Sequence, residues 1–410
     1  MELQTQCACG LDVHQATIVA CLLSVLDNGK VKKQIRSFGA TTRELIALRE
    51  WLQSEGCTHV AMESTGVYWK PVYAILEGPF DLTVANAYHV KNVPGRKTDV
   101  KDAEWLADLL LHGLLRKSFV PPPPIRELRD LTRYRRKLVE TGGEERNRLL
   151  KVLETANIKL ASVASDVFGV SGMRMLDALV ENKATPAEMA ELAKGRLREK
   201  ISELQPALEG RLEEHHRYLL KLQLARLRAV AKDLEELNKR IDEKLQPYRP
   251  QLELLMEIPG VDWTVAAVII AELGVDMKVF GSPSRLSQWT GVCPGNNESA
   301  GKRKSARTTK GNCHLKTALV ESAHSAARAK GTYLRDKFYR VKSRRGAKRA
   351  AVTVAHKILV AVYHMLDKQV SYNDLGDLYL DKLNKQHLTR NLVHRLERLG
   401  YEVRLQPVAA

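Results

Sequence analysis

Four carboxylates stand where they could hold a divalent cation. Asp12 closes a β-rich run, Cys7 to Val13, and Glu63 ends another, His59 to Met62. Asp99 and Asp102 bracket the start of a helical stretch in Lys97-Thr98-Asp99-Val100-Lys101-Asp102. Three positions apart on a helix, Asp99 and Asp102 share a face and can point back at a sheet. If the strands ending in Asp12 and Glu63 lie side by side, both acids face the same point. Converging carboxylate oxygens are hard ligands that suit Mg²⁺, and two such ions about 3.5 to 4 Å apart would clamp the attacking and leaving oxygens of a phosphodiester. Taken singly, each acid also has an ordinary explanation as a cap or strand-end residue, and Asp99 has the best one, as an N-cap. His14 and His314 receive no role, since lone histidines are usually structural.

A second concentration of chemistry is electrostatic. Between Ala300 and Ala350 sixteen Lys or Arg stand against two acids, Glu321 and Asp336, a net +14 in a chain whose total is +17. An even spread would put roughly +2 there, so a solvated face is an insufficient account and a polyanionic partner is expected. The residues expected to meet it are Lys302, Arg303, Lys304, Arg307, Lys310, Arg344 and Arg345. Tyr333, Phe338 and Tyr339 interleave with the later cations, where they could stack on bases or simply pack a helix. Upstream, Ile258-Pro259-Gly260-Val261 precedes the apolar helix Val265 to Leu273 and resembles a helix-hairpin-helix turn, in which Gly260 would let backbone amides meet a phosphate. A buried pair of helices would read the same way.

These residues need elements to position them. Cys7 to Val13, Thr17 to Val25 and Val31 to Phe38 read as three antiparallel strands separated by turn chemistry such as Asp27-Asn28-Gly29. A helix over Thr41 to Ser54, a strand over His59 to Met62, a helix over Val67 to Leu76, a strand over Leu82 to Ala85 and a helix over Asp102 to Leu115 follow. The order β-β-β-α-β-α-β-α predicts a mixed sheet flanked by helices, residues 1–118. Pro121 to Pro124 then form a stiff extended spacer. Beyond it the chain turns helical, first over Ile125 to Leu160. A heptad-like series follows: Ile201, Leu204 and Leu208, interrupted by Pro206, then Leu212, Leu219, Leu222, Val230, Leu234, Leu237, Ile241 and Leu245. One helix from Gly210 to Gln246, in a coiled coil between copies or an antiparallel hairpin within one chain, is the expectation for residues 119–250. A compact, mostly helical domain over 251–370 and an extension over 371–410, helical from Leu388 to Leu399, complete the chain.

Composition limits the remaining choices. At 410 residues, 44% hydrophobic and 28% charged, the chain exceeds one hydrophobic core and is not globally disordered. Its charge suits a small acidic metabolite poorly. Six cysteines, at 7, 9, 21, 57, 293 and 313, show no Cys-x-x-Cys pair, so a reducing, cytoplasmic setting is expected. No basic n-region precedes an apolar core, and the apolar stretches Thr17 to Leu26 and Val352 to Leu366 are too short or carry His and Lys. Neither secretion nor membrane spanning is expected.

Gly10-Leu11-Asp12-Val13-His14, Met62-Glu63-Ser64-Thr65-Gly66-Val67-Tyr68-Trp69 and Lys97-Thr98-Asp99-Val100-Lys101-Asp102-Ala103 together resemble the DEDD, RuvC-like domain of insertion-sequence transposases, the bridge-RNA-guided recombinases. The resemblance runs over roughly residues 7 to 340. It implies an RNase H-like fold, Mg²⁺ held by Asp12, Glu63, Asp99 and Asp102, DNA as donor and target, and an element-encoded guide RNA. It also implies a serine nucleophile. Gly291-Val292-Cys293-Pro294-Gly295-Asn296-Asn297-Glu298-Ser299-Ala300-Gly301-Lys302 looks like the family's C-terminal loop, with Ser299 at the matching position. Glu298 and Ala300 depart from the serine and glycine the family often has there, and Ser305 and Thr308 are rival hydroxyls. A serine hydroxyl among small residues lets a phosphate approach closely, and Lys302, Arg303 and Lys304 could neutralise developing charge.

Three functions follow from these readings. The first is a recombinase that moves its own element, RNA-guided, as a dimer or tetramer. The second is a Mg²⁺-dependent, junction-resolving endonuclease that uses the carboxylates and water and forms no covalent intermediate. The third is a non-catalytic nucleic-acid-binding protein with structural acids.

Overall fold

Strand-forming runs with one face apolar build the N-terminal part. The computed structural model describes residues 5–86, 90, 102–295, 297–299, 301–305, 307–383 and 385–406. The chain divides into two compact units, Met1–Val120 and Pro121–Ala410. In the first, Cys7–Val13 (β1), Thr17–Val25 (β2) and Val31–Gly39 (β3) form an antiparallel meander. Thr42–Ser54 (α1) follows, its N-terminus capped by the Thr41 hydroxyl, and buries Leu45, Leu48, Trp51 and Leu52 at helical spacing. Then come His59–Glu63 (β4), Trp69–Leu76 (α2), Asp81–Ala85 (β5) and Asp102–Leu111 (α3).

The sheet order is β3-β2-β1-β4-β5, with β1, β4 and β5 parallel and β2 antiparallel to its neighbours. This is an RNase H-like mixed sheet with flanking helices. One face packs on α1 and α2 through Cys9, Leu11, Ile18, Val60 and Met62. The other packs on α3 through Ala8, Ala61, Ala85, Leu106 and Leu109. Two helices are shorter than the spacing predicts. A turn over 66–68 delays α2 to Trp69, and α3 stops at Leu111 because Gly113 and Leu114 turn back to donate to the carbonyls of Leu110 and Leu109.

The second unit opens with a correction. Pro123 and Pro124 are not part of an extended spacer; they are the first residues of a 33-residue helix, Pro123–Thr155 (α4). First-turn amides have no intrahelical acceptor, so proline costs nothing there and its fixed φ suits the helix. The series after Pro206 is corrected as well. The helix is Glu214–Leu245 (α9 below), and its buried residues are Leu220, Leu224, Ile241 and Leu245, whereas Leu219 and Leu222 are exposed. A strict heptad drifts around a 3.6-residue helix, and the stripe that packs follows the helix.

Between those long helices lie Leu160–Val163 (α5), Val170–Glu181 (α6), Pro186–Ala190 (α7) and Ile201–Leu208 (α8), which share a core of Leu149, Leu153, Leu176, Leu204 and Leu220. Helices α4 and α9 pair antiparallel within the chain: Glu127 meets Lys244 at 2.5 Å, Arg135 meets Asn238 at 2.6 Å and Glu145 meets Arg226 at 3.4 Å. The remainder is Arg249–Met256 (α10), Trp263–Leu273 (α11), Pro283–Thr290 (α12), a hairpin of Asn297–Ser299 (β6) and Lys302–Ser305 (β7), Cys313–Ala326 (α13), Tyr333–Arg345 (α14), Ala347–Lys368 (α15), Tyr379–Leu383 (α16) and Lys385–Arg398 (α17). Helix α15 is long and apolar enough to cross a membrane by composition, yet Val354, Ile358, Leu359 and Val362 are buried and it packs on α13 and α14, as a core helix does.

Candidate functional site

Asp12 and Glu63 stand on adjacent strands at one end of the five-stranded sheet. In the parallel pair β1–β4, Leu11 stands opposite Met62, so one step further along both strands sets Asp12 beside Glu63. Side chains alternate along a strand, and Asp12 continues the series Ala8 and Gly10 while Glu63 continues Ala61. Ala8 and Ala61 pack on α3, so both acids belong to the face that α3 covers. Asp102 is the first residue of that helix.

Gly10 is what lets α3 lie there. A Cβ at Gly10 would stand 2.0 Å from the Ala103 carbonyl oxygen and 2.5 Å from the Ala107 nitrogen, so only a residue without one permits this approach. Lys33 on β3 pins the same helix from the side, its Nζ 2.9 Å from Glu104 Oε1.

Asp12 Oδ2 lies 3.1 Å from His14 Nε2, and Glu63 Oε2 accepts from the Thr65 hydroxyl at 3.3 Å. Neither acid forms an ion pair with Lys or Arg among the described residues. Carboxylate oxygens not held by Lys or Arg suit a hard divalent ion, and in that sense Asp12 and Glu63 fit one. Among the described residues they do not form a closed cage. The three-residue group whose ligand atoms all lie within 4.8 Å of one another, among the described residues, is Glu213, His215 and His216. Of that group, Glu213 and His216 already cap α9. Asp99, with the rest of Lys97–Lys101, lies outside the described residues.

In the second unit Ser299 sits at the tip of a hairpin, where the sequence suggested a loop. It is the last residue of β6 and pairs with Lys302, the first of β7. The two-residue connection has Gly301 at φ +72°, as tight hairpins favour. The neck is closed by a bridge between Pro294 and Thr308, by the Gly295 amide donating to the Arg307 carbonyl at 2.9 Å, and by the Asn312 amide donating to the Trp289 carbonyl at 3.1 Å. The rival hydroxyls have local bonds: Ser305 Oγ accepts from the Arg307 amide at 3.2 Å, and Thr308 Oγ1 accepts from Lys316 Nζ at 2.7 Å.

Behind the neck is a residue that sequence reasoning missed. Glu272 is fully buried near the end of α11 and takes a bidentate pair from Arg133, at 2.7 and 2.8 Å, an ion pair from Arg129 at 3.2 Å and the Asn312 side-chain amide at 2.6 Å. Asn312 in turn caps α13 by accepting from the Leu315 amide at 3.1 Å. Burial alone would raise the pKa of Glu272, but the hydrogen bond from Arg133 and the charges of Arg129 and Arg133 outweigh it and hold the group below its ordinary value. The available signal was a single acid inside an otherwise apolar helix, since such residues are buried only when paired.

Lys302, Arg307, Lys310, Arg344 and Arg345 are exposed and form no ion pair among the described residues. Arg303 and Lys304 lie on β7 between them. Lys337 has its pKa lowered by partial burial and by the nearby charges of Lys357, Arg344 and Arg340, a sign of uncompensated positive charge around α14. The three aromatics separate: Phe338 is buried, Tyr333 packs edge-on against Tyr379, and Tyr339 is exposed between Arg335 and Lys342. Gly260 has a packing role. A Cβ there would meet the Ala326 nitrogen and Ser322 oxygen at 2.5 Å, and the start of α11 is already capped by Asp262, whose carboxylate accepts from the Val265 amide at 2.9 Å.

Two family models match the chain. A transposase model of the DEDD, IS110 type covers residues 9–158, and the model of the IS116/IS110/IS902 transposase family covers residues 252–340. No curated protein matches it.

Proposed function

The chain belongs to the IS110-type family of DEDD transposases, and from that premise we propose that it mobilises its element as an RNA-guided recombinase with Ser299 as nucleophile and Mg²⁺ as the metal. A guide RNA would leave sequence choice to base pairing and backbone recognition to the protein. The observation that carries the catalytic part is the β1–β4 register, which sets Asp12 and Glu63 side by side on the face where α3 begins with Asp102. Asp12, Glu63, Asp102 and Asp99 would hold the metal. When bound, Mg²⁺ supplies Lewis-acid stabilisation of charge on phosphodiester oxygens.

The protein's own residues account for the covalent step. Ser299 Oγ forms a bond to phosphorus as the bond from phosphorus to the leaving sugar oxygen breaks. The hydroxyl proton passes to a base, and the leaving oxygen takes one up. The number of phosphoester bonds is unchanged, so rejoining by the reverse step requires no nucleotide cofactor. Lys302, Arg307 and Lys310 would hold the flanking phosphates. The nucleic-acid-bound form would be a dimer or tetramer.

The test uses the full chain with its element's end-flanking RNA, labelled DNA and Mg²⁺, resolved on a denaturing gel beside Ser299→Ala and Asp12→Ala. A protein–DNA adduct lost in both variants is expected. Free cleaved strands from Ser299→Ala at the native rate would remove the serine and leave a metal nuclease.

A further inference from the structure

A cavity of about 470 Å³ opens in the second unit between α4, α9, α11 and α13. That volume lies in the range of small-molecule sites. Val139, Ile241, Val265, Val268 and Ala318 make its walls apolar. Trp263 adds an indole whose orientation is set by its Nε1 donating to Asp242 Oδ1 at 3.3 Å.

Of the neutral polar groups that line it, the hydroxyls of Thr264 and Thr317 and the His314 imidazole make no side-chain hydrogen bond among the described residues. Burial, aided by the charge of Arg133, keeps the pKa of His314 below its ordinary value. The neutral ring offers one donor and one acceptor. Of the cations at the cavity, Arg133 is committed to Glu272, Arg136 to Glu140 and Glu321, and Lys137 to Glu140. Arg135 is different. It is half-buried, gives its Nε to Asn238 Oδ1 at 2.6 Å, and forms no ion pair among the described residues.

We propose that this cavity seats a single unstacked nucleobase of the nucleic acid on which the enzyme works, with Arg135 meeting the adjoining phosphate. A base is flat and apolar on its faces and carries donors and acceptors at its edge, which matches apolar walls with three uncommitted polar groups. An apolar side chain from a second copy would desolvate those three groups without partners and bury the Arg135 charge without an anion, a cost that a base with its phosphate avoids. The proposal rests on the reading of the chain as a nucleic-acid enzyme, but its test does not require strand cleavage.

The full chain is titrated with AMP, CMP, GMP and UMP, with ribose 5-phosphate as the control lacking a base, and binding is followed by saturation-transfer NMR. At least one nucleotide should bind through its ring protons with a Kd on the order of 1 mM, while ribose 5-phosphate gives no signal. Thr264→Trp, which fills the cavity from a position with no side-chain hydrogen bond to lose, should abolish the signal, and Arg135→Gln should weaken it several-fold. If Thr264→Trp does not fold, as judged by circular dichroism, Thr317→Trp takes its place.

No ring-proton signal at about 10 mM nucleotide would overturn the assignment, as would an equal signal from ribose 5-phosphate or an undiminished one in the folded Trp variant. A cavity-dependent dimer, formed by the native chain and lost in the Trp variant, would overturn it in favour of a second copy. A chain that forms the Ser299 adduct but binds no nucleotide would refute the cavity alone. Nucleotide binding without an adduct would refute the serine alone.

Discussion

Glu272 is the side chain on which the serine hairpin's supports converge. Its carboxylate links α11 to α4 through Arg129 and Arg133 and to the hairpin neck through Asn312. Replacing it with Ala leaves two guanidiniums without their buried anion and should cost about 3–5 kcal/mol, read as a lowered urea midpoint at unchanged slope. Its folded pKa lies below the ordinary 4.5, so its contribution is complete above that pH and is lost as pH falls through the folded value. Between about pH 6 and about pH 3 the native chain should therefore lose more stability than Glu272→Gln; parallel loss in the two would show the charge to be idle. None of this could be read from spacing, because Arg133 and Glu272 stand 139 residues apart. Asp12 and Glu63 were legible because each ends a short strand whose pattern announces itself locally.

Among the elements, α3 and the pair α4–α9 show how position follows from backbone approach. Gly10 admits α3 onto β1, so Gly10→Val should push that helix away and take Asp102 with it. The expected result is about 1–3 kcal/mol or more of lost stability together with loss of Mg²⁺-dependent adduct, measured by thermal unfolding and by the gel assay. Native activity in a stable Gly10→Val would show that α3 does not position the acids. The three antiparallel strands β1 to β3 and the helix α1 followed the periodicity closely, whereas the pairing of β1 with β4 came from the fold. The proline run and the heptad series did not. A proline is equally at home in an extended spacer and in a first helical turn, and apolar residues at seven-residue intervals do not say which of two adjacent stripes will find a partner.

At the scale of the whole molecule, positive charge is the dominant property. The net charge of +17 is concentrated after Ala300, where Lys302, Arg307, Lys310, Arg344 and Arg345 are exposed and form no ion pairs among the described residues, so affinity for nucleic acid should fall steeply with salt. Arg344→Ala with Arg345→Ala should flatten the slope of log affinity against log salt by about 0.7–0.9 for each phosphate that is no longer neutralised, measured by fluorescence anisotropy. An unchanged slope would place the phosphate-binding surface elsewhere. Sequence by itself determined the elements of the mixed sheet, the charge and its location, and the motif residues that mark the family. These are properties of neighbouring residues, written in periodicity and composition. Only the tertiary structure decided which face Asp12 and Glu63 share, why Gly10 and Gly260 have no side chain, that α9 folds back on α4, and that Glu272 and the nearby cavity exist. Each of those depends on groups far apart in the chain meeting within a few ångströms, and side-chain type alone does not specify which distant backbone will come that close.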